Sequence, residues 1–194
     1  MAVTLRAFND ADYPLYTALY NRCRPEVPES EASLRAFMAS NSDDILLDIV
    51  AEQECRLVAG LLAYKAQVGK GRIRLELIAP EGDTELSELL YDTASERMPQ
   101  AQALSTSVRE DWPQWLAFYR ERGFAETHRQ YESRLELSAF DPSPFAGALA
   151  AVCAAGLEIT TLAELPDTEA TPRKLYDAIT SLLADVPFEE PLNI

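Results

Sequence analysis

Residues 72–90 read RIRLELIAPEGDTELSELL, and the fold turns on how that stretch is parsed. Ile73, Leu75 and Leu77 alternate with Arg72, Arg74 and Glu76, the period of a strand with one face on a core and the other half-solvated. A tight turn follows. Beyond it Leu86, Leu89, Leu90 and Ala94 recur at helical spacing, with Asp83 or Thr84 available as the cap. A strand passing through a tight turn into a helix is where many α/β proteins hold phosphate, because the helix amides and dipole favour an anion there. This turn instead carries Glu81, Asp83, Glu85 and Glu88, with no Lys or Arg.

Working outward from that unit, VTLRAF (3–8) reads as an opening strand, and Asp10 or Asp12 can cap a following helix with Leu15, Tyr16 and Leu19 on its apolar side. A second helix starts at Ser30. Residues 44–67 hold two strands around a polar turn at Gln53–Cys55, and VGKG (68–71) leads into the strand at 72. Downstream, ALSTSVRE (103–110) is a strand, DWPQWLAFYRERG (111–123) a helix closed by Gly123, and FAETHRQYESRLEL (124–137) one long strand or two. Antiparallel strands flow into βα units and back again, an α+β plan built on a mixed sheet.

SAFDPSPF (138–145) is a proline-bearing linker, and a short helix carries the chain to 156. Residues 157–194 then echo the beginning: ITTL answers VTLR, Leu175-Tyr176 answers Leu15-Tyr16, and Val186-Pro187 answers Val27-Pro28. Matches in register predict an internal repeat that stops after one strand and one helix. The expected organisation is a domain over 3–137, a linker and short helix over 138–156, and an incomplete second copy over 157–194. Such a fragment cannot bury Ile159, Leu162, Leu175, Ile179 and Leu182 by itself, so it is expected to pack on the first domain or on another chain, forming a homodimer if LEITTL is exchanged.

With 47% hydrophobic and 25% charged residues over 194 positions, the chain is globular in composition. A formal net charge of −15 argues against nucleic acid and against anionic membrane as partners. Cys23, Cys55 and Cys153 are widely spaced and odd in number, which predicts buried, reduced thiols and no zinc site. The polar N-terminus and the lack of a long apolar run point to a cytoplasmic protein.

The helix ending AFYRERGF (117–124) resembles the GNAT superfamily of N-acetyltransferases, in which Phe-Tyr-x-x-x-Gly-Phe precedes the last strands. VTLRAFNDADYP, VAEQECRLVAGLLAY and ELIAP resemble that family's opening strand and helix, its paired second and third strands and its fourth strand. The match runs from about 3 to 137 in order and spacing, and the second start resembles tandem two-domain members. It implies a sheet with splayed central strands, and transfer of acetyl from acetyl-CoA to an amine of a small molecule or peptide. It also implies that Leu77, Ile78 and Ala79 pair with the cofactor's pantetheine arm. Its pyrophosphate turn, Arg/Gln-x-x-Gly-x-Gly/Ala, falls on Gly82, Asp83, Thr84 and Glu85. There this sequence is shorter, keeps one glycine and has no basic residue, so carboxylates stand where a diphosphate is expected. Two unit charges ~4 Å apart repel by about 1 kcal/mol in water and several times that near protein.

By the same resemblance Tyr119 is the acid that protonates the departing thiolate and Glu76 the base that takes the ammonium proton. Other readings of these residues are a core-edge tyrosine and a solvated glutamate paired with Arg72 or Arg74. His128 is the only histidine and sits in no motif. Two further functions compete with the enzyme: a non-catalytic module serving domain pairing or oligomerisation, and a cleft that binds a cationic ligand.

Overall fold

In the computed structural model, which describes residues 2–66, 71–131, 133 and 135–183, five strands form one sheet in chain order. They are β1 (Thr4–Ala7), β2 (Ile45–Gln53), β3 (Arg56–Lys65), β4 (Arg72–Ile78) and β5 (Ala103–Ser105). The first four are antiparallel neighbours, and β5 lies parallel to β4. The β2–β3 hairpin closes through Glu54 and Cys55 at φ 49° and 60°. Two left-handed residues in succession are what a two-residue turn needs to follow the twist of its strands.

Four helices accompany the sheet: α1 (Tyr13–Cys23), α2 (Glu31–Ser40), α3 (Thr84–Arg97) and α4 (Pro113–Glu121). Ser30 Oγ caps α2 by accepting from Ser33 N, and Asp83 Oδ1 caps α3 by accepting from Leu86 N. Before α1, Asn9 caps a short 3-10 turn. The buried Asp12 accepts from Arg6 at 2.7 Å and from the Asn9 amide, tying β1 to the helix start. Leu19 and Tyr13 face inward from α1, but Leu15, read as apolar-side, is 56% exposed.

The alternation along β4 divides the core. Ile73, Leu75 and Leu77 join Leu86, Leu90, Phe118 and Tyr119 on the α3–α4 face. Ile78 joins Val50, Leu57 and Leu19 on the α1 face. Gly60 in β3 sits beneath α1, where a Cβ would come within 2.5 Å of the Tyr16 ring.

The chain divides into two compact units, residues 2–126 and 127–183 within the described part. The strand expected over 124–137 does not form among the described residues. Phe124 packs edge-on against Tyr119 and Tyr91, but Glu126–Gln130 offers no apolar side chain to alternate with, and Tyr131, Leu135 and Leu137 are exposed. A three-residue β5 also gives a further strand little edge to pair with.

The second unit contains α5 (Ala148–Ala154) and α6 (Ala170–Leu183). LEITTL forms no strand, and Leu162 instead opens a 3-10 turn over Leu162–Glu164. Ile159, Leu162, Leu175, Ile179 and Leu182 are exposed. Val186-Pro187 lies outside the described residues. Contrary to the expectation of buried thiols, Cys55 and Cys153 are exposed and Cys23 is half-buried.

Candidate active site

β5 pairs with β4 only at Arg72–Ala103, Ile73–Leu104 and Arg74–Ser105. β4 continues to Ile78, still bonded to β3 at Gly60, so its last residues have no β5 neighbour. The sheet is splayed there because β5 is short. Leu77, Ile78 and Ala79 lie on this unpaired stretch with buried side chains. Arg24, just past the end of α1, donates from Nη2 to the Leu77 carbonyl at 3.1 Å. Its guanidinium stands over the rings of Tyr20 and Trp112, at 5.2 and 5.5 Å from their centroids.

Tyr119 approaches the same gap from α4. Its ring is 5% exposed, stacked on Trp115 at 5.8 Å and edge-on to Phe118 and Phe124. Burial pushes the hydroxyl up to about 12, a hydrogen bond with the Thr106 side chain and the charge of Arg24 pull it down, Glu76 pushes it up, and Arg74 pulls it down. At neutral pH it therefore keeps its proton and is a hydrogen-bond donor. Arg122, just past the end of α4, forms an ion pair with Glu88 and lies over Phe118.

Glu76 rises from the opposite face of β4, half-buried, and accepts from Tyr64 Oη at 3.1 Å. It lines a cavity of about 190 Å³ between the sheet and helices α1 and α2, together with Asp48, Tyr16 and Phe37. Tyr119 is not in its wall; the hydroxyl and the carboxylate act on each other through charge rather than contact.

Asp48 is the residue that sequence reasoning missed. Its signal is a carboxylate interrupting the apolar run Ile45–Val50 of β2. Burial first, and Asp12 second, push its pKa up to about 7. No hydrogen bond or ion pair is formed by this carboxylate among the described residues. His128 is exposed and belongs to the second unit.

The turn after β4 is spent on itself. Gly82 takes φ 83°, the Asp83 amide bonds the Pro80 carbonyl and the Thr84 amide bonds Gly82. Asp83 Oδ1 occupies the Leu86 amide, where an anion at a helix start would sit, and Glu85 adds a second carboxylate to the first turn. The unpaired β4 edge fits an extended chain such as a pantetheine arm; this turn does not fit a diphosphate. No cluster able to hold a metal ion exists among the described residues.

No family model and no curated sequence matches the chain. Solved structures do. A transcriptional regulator from Bacillus halodurans is 17% identical with a TM-score of 0.55, over 69% of this chain and 100% of its own. A ribosomal-protein-alanine N-acetyltransferase from Escherichia coli is 18% identical with a TM-score of 0.54, over 66% and 80%. A GNAT family acetyltransferase from Brucella melitensis, solved with acetyl-CoA, is 16% identical with a TM-score of 0.50, over 64% and 84%. The chain has the GNAT fold. The matched share corresponds in length to the first unit, and at this identity the likeness concerns fold rather than chemistry. No helix among the described residues is long and apolar enough to cross a membrane.

Proposed function

We propose that the first unit transfers acetyl from acetyl-CoA to an amine. The observation that carries this reading is the gap beside β4: an unpaired strand edge at Leu77–Ala79 with a protonated Tyr119 hydroxyl on one side and Glu76 on the other. Acetyl-CoA supplies a thioester whose acetyl carbon exchanges its bond to sulfur for one to the acceptor nitrogen. Glu76, held by Tyr64, takes a proton from the acceptor ammonium directly or through a water. Tyr119 gives its hydroxyl proton to the sulfur as it departs and is reprotonated by the second proton lost from the nitrogen. Arg24 has to give up the Leu77 carbonyl before an extended arm can pair with that edge.

The acidic turn makes this a weak cofactor site, with Gly82, Asp83, Thr84 and Glu85 serving the helix start rather than a diphosphate. The same observation favours a second reading, a GNAT-fold module that binds a cation or a partner without catalysis. Residues 157–194 read as the start of a second repeat, and their exposed Ile159, Leu175 and Ile179 suit pairing with a second copy of the chain.

The test is thiol release from acetyl-CoA over a panel of primary amines. Tyr119→Phe is expected to lower kcat by about 100-fold with KM for the amine little changed, the loss typical of one acid–base group. Equal kcat for the wild-type chain and Tyr119→Phe would remove Tyr119 from the reaction.

A further inference from the structure

The strand edge and the turn beside β4 ask for different chemistry. Along Leu77–Ala79 the chain runs past the end of β5 with buried apolar side chains and a main-chain edge. The Leu77 carbonyl is open to a donor from outside the sheet, since it accepts from Arg24 Nη2 at 3.1 Å. An extended arm of amides and methylenes pairs with such an edge through main-chain hydrogen bonds and needs no charge of its own.

The turn that follows is filled from within. A diphosphate at a helix start is held by free amides, and here they are already used. The amides of Asp83 and Thr84 donate to the Pro80 and Gly82 carbonyls at 3.1 and 3.0 Å. Those of Leu86 and Ser87 donate to Asp83 Oδ1 and to the Asp83 carbonyl at 3.1 and 3.2 Å. Residues 80–88 carry Glu81, Asp83, Glu85 and Glu88 and no Lys or Arg. Arg122 reaches this stretch but is taken by Glu88 at 3.1 Å, and Arg24 is held by the Leu77 carbonyl and the Tyr20 and Trp112 rings. We propose that the cleft takes its acyl donor by the neutral arm alone. A thioester on a pantetheine-type chain whose far end bears no diphosphate satisfies the site, and the nucleotide half of CoA adds no affinity. Use of the thioester rests on the acetyl-transfer reading; binding of the arm does not.

Calorimetric titration of the full chain with pantetheine and with CoA, in about 20 mM and about 300 mM salt, tests this. Pantetheine is expected to bind at least as tightly as CoA at low salt. Raised salt is expected to tighten CoA about threefold by screening the carboxylates and to leave pantetheine unchanged. Asp83→Asn combined with Glu85→Gln keeps a helix cap and removes two charges, and should tighten CoA about fivefold without changing pantetheine. CoA binding more tightly than pantetheine to the wild-type chain at low salt would overturn the proposal without any variant. A variant that tightens both ligands alike would overturn it as well, since the carboxylates would then face the arm. Pantetheine binding without thiol release from S-acetylpantetheine or acetyl-CoA, over the same amines, would defeat the acetyl-transfer reading and leave this one standing. Thiol release from acetyl-CoA with CoA the tighter ligand would do the reverse. Binding of neither ligand would end both.

Discussion

At the scale of single residues, Asp48 carries a pH signature that can be read in stability alone. Its carboxyl titrates near 7, raised first by burial and then by Asp12. Below about pH 3 it is protonated in both folded and unfolded chains and costs nothing. As pH rises toward 7 the unfolded chain ionises first while the fold still prefers the acid, so stability falls across that window and is level above it. Asp48→Asn removes the penalty. It is expected to stabilise the protein by about 2 kcal/mol at pH 8, less than the full shift implies because water reaches the cavity, and by almost nothing at pH 3. Melts at the two pH values check this, and a variant that is less stable at pH 8 would contradict it. Asp12 shows the opposite case in the same corner: Arg6 holds it below the usual carboxylate range, so its contribution is present at neutral pH and lost in acid.

At the scale of elements, the site depends on how closely α1 lies on β3. Gly60 leaves room for the Tyr16 ring, and an alanine Cβ there would meet it at 2.5 Å. Gly60→Ala is expected to cost about 1–3 kcal/mol, as overpacking in a sheet–helix contact does, and to weaken amine binding by displacing Tyr16 from the cavity wall. Denaturant melts and titration of the same variant read both effects; an unchanged melt would show that α1 can lift freely. The strands, the two hairpin arms and the four helices of the first unit were legible because their apolar periods are strong and their caps local, as at Ser30 and Asp83. Residues 124–137 and 157–162 misled because alternation promises a strand only where a neighbour offers an edge and a face. A three-residue β5 provides little of either. Leu15 and Leu89 fit the helical period but fall on its outer margin, where the sheet no longer reaches them.

At the scale of the molecule, the first unit joins a GNAT fold to an acidic turn after β4 that caps the following helix. The acidic turn was plain in the sequence. What was not legible was the pairing of Asp48 with Glu76, because it arises from register across β2, β3 and β4 and no spacing along the chain encodes it. Arg24 was hidden in the same way, brought to Leu77 by the length of α1 rather than by any motif. On the acetyl-transfer reading, strand-edge contacts without diphosphate contacts predict weak cofactor binding, with Kd on the order of 0.1 mM. The measurement that tests the central claim most directly is a thermal melt of the full chain with and without 1 mM acetyl-CoA. At that affinity mass action adds about 1.4 kcal/mol, and the account predicts a rise of about 3–6 °C. An unchanged melt at 1 mM acetyl-CoA would contradict it and leave a GNAT fold without its cofactor.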